Sequence, residues 1–355
     1  MSHLPQESEK VRLAITLGDP AGIGPETVVG AWALPGLHEG CDLFAVGRPE
    51  LLERAIAVRD VSARVEPIDR PEDASSSPER ICCLSAGSAE AAEVPPATVD
   101  ARGGRAAYDA LVAAAELALE GRVDGIVTAP LNKVALKQAG YDYPGHTELL
   151  AELCGVDDYA MMLYLPPDST LRVGGPAGLG VVHVTLHMAL SQVVQNLTTE
   201  GVVAKIRLAD AAMRTLGVRN PRIGVAALNP HAGEQGLFGD EEQRIIEPAV
   251  NESVAAGYLV SGPFPADTLM IRARDGEFDA VVAMYHDQGH IALKLLGMHD
   301  AVNVTLGLPI VRTSVAHGTA FDQAWKGTAR TAGMLAAVRT ACRLAQERRG
   351  MMNDE

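Results

Sequence analysis

The sequence predicts an α/β protein in which buried strands alternate with helices, and three observations carry that reading. Apolar runs of four to seven residues recur, each closed by a polar or Gly/Pro turn, as buried strands of a parallel sheet require. Between them lie stretches whose apolar residues follow helical spacing. Aromatic residues make up only 4% of the chain while glycine and alanine are plentiful, which suits close packing of helix on sheet.

In chain order the strand runs are LAIT (13–16), LFAV (43–46), GIVT (125–128), GVVHVTL (180–186), IGVAAL (223–228) and AVVAMY (280–285). Helices are expected between them, notably over 104–120 and 199–216, where Val203, Ile206, Ala209, Met213 and Leu216 trace one apolar face. This alternation predicts a largely parallel sheet covered by helices. Two segments break the rhythm. One is 75–98, read as surface structure or a short antiparallel excursion around ICCL; the other is the insertion PPDSTLRVGGPAGLG at 166–180. A chain of 355 residues with 47% hydrophobic content can bury two domain cores or one large one.

Composition excludes several functions. The net charge of −15 and pI near 5.1 repel nucleic-acid phosphates and anionic lipid, so neither is an expected partner. The start, MSHLPQESEKVR, lacks an apolar signal core, and no apolar run reaches the roughly 18 residues of a membrane span. Cysteines 41, 82, 83, 154 and 342 show no CxxC spacing, so a reducing, cytoplasmic location is expected.

In open parallel sheets ligands gather beyond the carboxyl ends of the strands, which directs attention to the residues after each run. Three runs lead to a histidine: GVVHVTL to His187, IGVAAL to His231 and AVVAMY to His286. Each alone could merely cap a strand, but three at equivalent places form a candidate set for a catalytic zinc or related divalent ion. His183 lies inside its run, four residues or roughly 13 Å from His187 at strand rise; it is read as a core or supporting residue. In MYHDQGHIALK, 284–294, His286 and His290 have helical ligand spacing, yet Gly289 and the preceding strand favour a turn, leaving His290 a lesser role.

Asp267, Asp287, Lys294, Asn303 and Arg312 add polar groups near strand ends, and Lys294 with Arg312 could hold a phosphate or carboxylate. GHTE, 145–148, could start a helix whose N–H groups face an anion. GDPAGIGPE, 18–26, is a glycine-rich turn with Pro25 suited to a first helical turn, but its spacing is not GxGxxG, and no GxxxxGK[ST] occurs. TAPLNK, 128–133, is a similar turn carrying Asn132 and Lys133.

Taken in order, LGDPAGIGPE, TAPLNK, GHTE, VTLH, LNPHAGE, GPFPADT, YHDQGH and NVTLGLPIVRTSVAHGTAFD resemble the 4-hydroxythreonine-4-phosphate dehydrogenase family of pyridoxal phosphate biosynthesis from about residue 13 to 330. The resemblance implies two α/β/α domains like those of isocitrate and isopropylmalate dehydrogenases, without a Rossmann fingerprint. The first would span 1–145 with 308–355 and carry both termini; the second, 146–307, would hold the metal ligands, with the active site in the cleft and at a homodimer interface. It implies metal binding by His187, His231 and His286, the last from the partner subunit. Substrate contacts fall on His146, Thr147, Lys294, Asn303 and Arg312, and Asp267 matches the family's PADT aspartate. The general base is left open among Asp267, Lys294 and a metal-bound water.

The implied reaction is metal- and NAD(P)-dependent oxidation of a secondary alcohol in a phosphorylated hydroxy acid: 4-phosphohydroxy-L-threonine to 2-amino-3-oxo-4-phosphooxybutanoate, then decarboxylation to 3-amino-2-oxopropyl phosphate. Zinc is the first choice of metal, with cobalt, magnesium or manganese as alternatives. Other branches oxidise 4-phosphothreonate or 4-phosphoerythronate, or a terephthalate cis-dihydrodiol. GHTE, Lys294, Asn303 and Arg312 point to a phosphorylated substrate, while the VHVTLH wording resembles the dihydrodiol branch.

Overall fold

A computed structural model describes residues 10–353, so the polar start at 1–9 lies outside the described residues. The chain divides into two compact units, 1–141 with 319–331 and 142–318 with 332–355.

The first unit runs β1 (Val11–Thr16), α1 (Gly24–Trp32), β2 (Cys41–Gly47), α2 (Pro49–Arg59), β3 (Arg64–Ile68), β4 (Arg80–Ser85), α3 (Ala101–Leu119), β5 (Gly125–Thr128) and α4 (Lys133–Gln138). Its strands lie side by side in the order β3-β4-β2-β1-β5, all parallel. The ICCL run is therefore no antiparallel excursion: Ile81, Cys82 and Cys83 are buried in β4, parallel to both neighbours. No disulfide joins the five cysteines among the described residues.

Local chemistry explains the helix starts. Pro25 sits in the first turn of α1. Asp100 Oδ1 accepts from Arg102 N (2.8 Å) at the head of α3, and Asn132 Oδ1 accepts from Val134 N and Ala135 N (2.9 and 3.0 Å) at the head of α4. The glycines of the 18–26 turn are explained by close chain packing. A Cβ at Gly18 would lie 2.2 Å from the Pro130 carbonyl, and one at Gly24 2.2 Å from that of Leu17. The turn seats α1, and buried Glu26 takes the N–H of Gly327 at 2.7 Å.

The second unit runs α5 (His146–Cys154), β6 (Ala160–Leu165), β7 (Leu179–His183), α6 (Leu190–Asn196), α7 (Thr199–Thr215), β8 (Ile223–Ala226), α8 (Glu247–Ala255), β9 (Val260–Phe264), α9 (Ala266–Arg274), β10 (Ala280–Ala283), α10 (His286–Gly297), β11 (Val302–Leu306), β12 (Val311–Val315) and α11 (Ala332–Asn353). Strand order is β12-β11-β6-β7-β10-β8-β9. The last four are mutually parallel, whereas β6 is antiparallel to β7 and β11, and β11 to β12. This unit is thus mixed, and the expectation of a largely parallel sheet holds only for part of it.

On α7 the buried stripe is Val202, Ile206, Ala209 and Met213, with Leu216 following; Val202 replaces the expected Val203. The sequence-based boundaries also differ from the units. β12 pairs with β11, and α11 buries Met334, Ala337, Val338, Ala341 and Leu344 with Thr313 Oγ1 donating to the Ala337 carbonyl at 2.9 Å. Hydrogen bonding and apolar burial thus place 308–318 and 332–355 in the second unit.

Candidate active site

The site begins at the carboxyl ends of β7 and β10. These strands are adjacent and parallel, with His183 opposite Ala283. Pairing continues past their ends: Val184 N donates to the Ala283 carbonyl (2.9 Å) and Thr185 N to that of Met284 (3.2 Å). Gln288 fixes the start of α10 by accepting from Met284 N and donating to the Ala227 carbonyl, each at 2.7 Å. Two segments distant in sequence thereby bring His187 and His286 together, with ring centroids 5.9 Å apart. Both line an open pocket of about 510 Å³ with Met188, Tyr285 and Asp287.

Each of these imidazoles has its Nδ1 against a carboxylate. His286 Nδ1 lies 2.6 Å from Asp287 Oδ1 and His187 Nδ1 3.4 Å from Glu148 Oε1. A carboxylate only accepts, so the geometry favours Nδ1 as the protonated nitrogen in the neutral form of each ring, which leaves the Nε2 lone pair for an electrophile. This donor set suits a divalent ion of the zinc class. Among the described residues, no third His, Cys, Asp or Glu completes a ligand group.

His286 was expected to come from a partner subunit; the structure places it beside His187 of the same chain, because β7 and β10 are neighbours. His231 is the one outside this pair, its ring 6.3 Å from that of Phe238. It opens a turn in which residues 231–235 all have positive φ, between 44 and 74°. Buried Glu242 anchors that turn, accepting from Leu228 N and Asn229 N at 2.8 Å each.

Two histidines left with supporting roles join the cluster. Residues 286–297 form one continuous helix, so the expected turn at Gly289 is absent and His286 stacks on His290 at 3.8 Å. Gly289 is there for space: a Cβ would meet His183 Nε2 at 2.5 Å and Val181 Cγ1 at 2.6 Å. The strand itself ends at His183, so the 13 Å separation from His187 expected of a regular strand does not apply. His183 Nδ1 faces the Met161 carbonyl (3.4 Å), which assigns its proton there; His290 Nδ1 then donates to His183 Nε2 at 3.1 Å. Burial pushes the pKa of His183 down to about 4 and that of His290 to about 2, so both stay neutral.

The substrate-side candidates occupy nearby elements of the same unit. Lys294 follows His286 and His290 at four-residue steps on α10, and its charge acts on His290. Asn303 and Thr305 share one face of β11 with Arg312 and Ser314 of β12, by the register Asn303↔Ser314. Arg312 is buried, donates to Thr305 Oγ1 at 2.9 Å and feels the Glu148 charge; burial lowers its pKa to about 10. Asn303 Oδ1 is buried without a partner. His146 and Thr147 occupy the first turn of α5, as GHTE suggested, with Glu148 behind them. Asp267 is exposed at the start of α9, its Oδ1 accepting from Thr268 N (2.8 Å). Sequence reasoning had assigned no role to Glu148 or to Asp287 as an imidazole holder; the only local signals were the acids within GHTE and YHDQ.

The chain matches the family described as pyridoxal phosphate biosynthetic protein PdxA over residues 39–341. A D-threonate 4-phosphate dehydrogenase from Salmonella typhimurium is 46% identical over 339 residues, covering 95% of this chain and all of that protein. The crystal structure of a 4-hydroxythreonine-4-phosphate dehydrogenase from Klebsiella pneumoniae is similar with TM-score 0.83 and 44% identity, over 95% of this chain and 100% of that one. A terephthalate 1,2-cis-dihydrodiol dehydrogenase from Burkholderia xenovorans stands further off, at TM-score 0.63 and 31% identity over 94% and 98%. In fold alone, the chain also resembles an isocitrate dehydrogenase from Methylococcus capsulatus (TM-score 0.50, 16% identity, 97% and 89% covered).

Fold, site and relatives define an α/β dehydrogenase, an oxidoreductase acting on a CH–OH group. More particularly, the chain belongs to the PdxA family.

Proposed function

We propose that the protein oxidises the secondary alcohol of a phosphorylated four-carbon hydroxy acid, with NAD(P) as hydride acceptor and a divalent ion, zinc first, at His187 and His286. The observation that carries this reading is the His187–His286 pair, its Nδ1 atoms committed to carboxylates and both Nε2 atoms left as donors. His231, outside the intrachain group, would complete the site from a second copy in a homodimer. Two α/β/α domains without a Rossmann fingerprint and a cytoplasmic location complete the proposal.

The leading substrate is 4-phosphohydroxy-L-threonine, oxidised to 2-amino-3-oxo-4-phosphooxybutanoate and decarboxylated to 3-amino-2-oxopropyl phosphate. D-Threonate 4-phosphate is the second reading, favoured by the 46% identical relative of that name. The two differ in bearing an ammonium or a hydroxyl beside the carboxylate, and the unpartnered Asn303 Oδ1 can accept from either. The dihydrodiol reading is weaker, given the lower similarity of that relative.

Lys294 and Arg312 would hold the substrate's anionic groups, Lys294 as a point charge and Arg312 as a planar fork, with the first-turn N–H groups of α5 at His146 and Thr147 assisting. Asn303 would orient the substrate through its amide. The chemistry a divalent ion supplies here is stabilisation of negative charge on the reacting oxygen, first during hydride loss and then during loss of CO2. Asp267 and Lys294 remain candidates for the hydroxyl proton. His183 and His290, neutral and buried, keep the floor beneath His286 rigid and uncharged.

The test is NADH or NADPH formation with three substrates: 4-phosphohydroxythreonine, D-threonate 4-phosphate and the terephthalate dihydrodiol. Each is assayed in metal-stripped and metal-restored enzyme. Turnover of a phosphorylated substrate, abolished by EDTA and restored by zinc or cobalt, is expected; EDTA-insensitive turnover would remove the metal from the mechanism. Arg312→Lys keeps the charge but loses the fork, and should lower kcat/KM for phosphorylated substrates by roughly ten- to a hundredfold.

A further inference from the structure

We propose that Glu148 is a positioning residue that holds His187 in the Nδ1–H tautomer and so presents Nε2 as a metal donor; the inference rests on the metal reading above. Glu148 lies in the first turn of α5, where an anion is favoured by the helix N-terminus, and is mostly buried, its side chain 22% exposed. Its Oε1 reaches His187 Nδ1 at 3.4 Å from 39 residues away, and its charge also acts on buried Arg312. One carboxylate thus touches a candidate metal donor and acts electrostatically on a candidate phosphate-side cation. Asp287 does the equivalent for His286, but from the adjacent residue in the same helix turn. Glu148 differs because its contact joins α5 to the segment after β7, 39 residues along the chain. It therefore ties the geometry of the metal donor to the packing of the GHTE helix start.

Two measurements on the full chain test this. In long-range proton–nitrogen spectra of the wild-type apoprotein, with His187 assigned by comparison with His187→Gln, the His187 ring should be protonated at Nδ1 and bare at Nε2. In Glu148→Gln and Glu148→Ala that bias should weaken. Zinc affinity by equilibrium dialysis should fall ten- to a hundredfold in Glu148→Ala, the range expected when the partner of a metal-bound histidine is removed. The Co(II) visible spectrum should change with it. The inference is overturned if wild-type His187 carries its proton on Nε2, or if a folded Glu148→Ala binds zinc within twofold of wild type. Should Glu148→Ala not fold, the wild-type tautomer and the isosteric Glu148→Gln decide. A wild-type protein that binds no zinc would instead sink the metal proposal, and the tautomer measurement would still judge Glu148.

Discussion

Asp19 shows how a single buried group shapes stability. It is fully buried; Oδ1 accepts from Ala21 N at 2.9 Å, while Oδ2 has no partner. Burial raises its pKa to about 6, against the one backbone bond that lowers it. Gly103 is required beside it, since a Cβ there would stand 2.7 Å from Oδ1. The folded pKa exceeds the unfolded value, so Asp19's contribution is fully present below about pH 4 and lost as pH rises towards 6. Asp19→Asn removes that titration while keeping an acceptor for Ala21. Unfolding by urea at pH 4.5 and pH 7 should show the variant gaining on wild type by about 2 kcal/mol across the interval. An unchanged gap would mean the carboxylate is not held protonated. At this scale His187 and His286 were legible, because both directly follow apolar runs. Glu148 was not: nothing near His187 in the sequence announces a partner 39 residues earlier.

At the scale of elements, α10 separates two opposing preferences. Glycine within a helix costs about 1 kcal/mol relative to alanine, which argued for a turn at Gly289. The helix nevertheless continues, because only a residue without Cβ lets it lie against His183 and Val181, both almost wholly buried. Gly289→Ala is accordingly expected to destabilise by roughly 1–3 kcal/mol, since overpacking against side chains that cannot yield exceeds the propensity gain. A more stable Gly289→Ala protein, measured by thermal unfolding, would refute the packing argument. Each of the six apolar runs contains a strand, since apolar runs ended by turns are what buried strands require, although those at 180–186, 223–228 and 280–285 leave the strand two or three residues early. The strands read as such only from structure include β11 and β12. VNVTL and VRTSV place Asn303, Thr305, Arg312 and Ser314 on one shared face, and a buried polar face gives no hydropathy signal.

For the whole molecule, the proposed metal site would link ion binding to folding. An ion that binds only the folded chain stabilises it by about 2.7 kcal/mol at a hundredfold excess over its Kd. Zinc added to metal-stripped protein should raise the unfolding temperature by several degrees, and neither His187→Ala nor His286→Ala should show that rise. A shift that survives both substitutions would place the ion elsewhere. The division of the chain is likewise a property of the whole. Residues 332–355 join the second unit because the α11 stripe of Met334, Ala337, Val338 and Ala341 finds its partner on β12 and β11, at positions no linker composition marks.

By itself the sequence determined the α/β class, six of the strands, the helix starts at Asn132 and GHTE, the family, and two of the histidines now found together. These depend on local spacing, turn chemistry or ordered motifs, all of which a linear chain carries. Only the tertiary structure decided that β7 and β10 lie side by side and that His286 joins His187 within one chain. It also decided that His290 stacks beneath and that Glu148 and Asp287 face the two rings. Strand order and long-range side-chain contacts arise from which apolar faces can be buried against each other. That choice is made by the folded chain as a whole and leaves no signature at any one position.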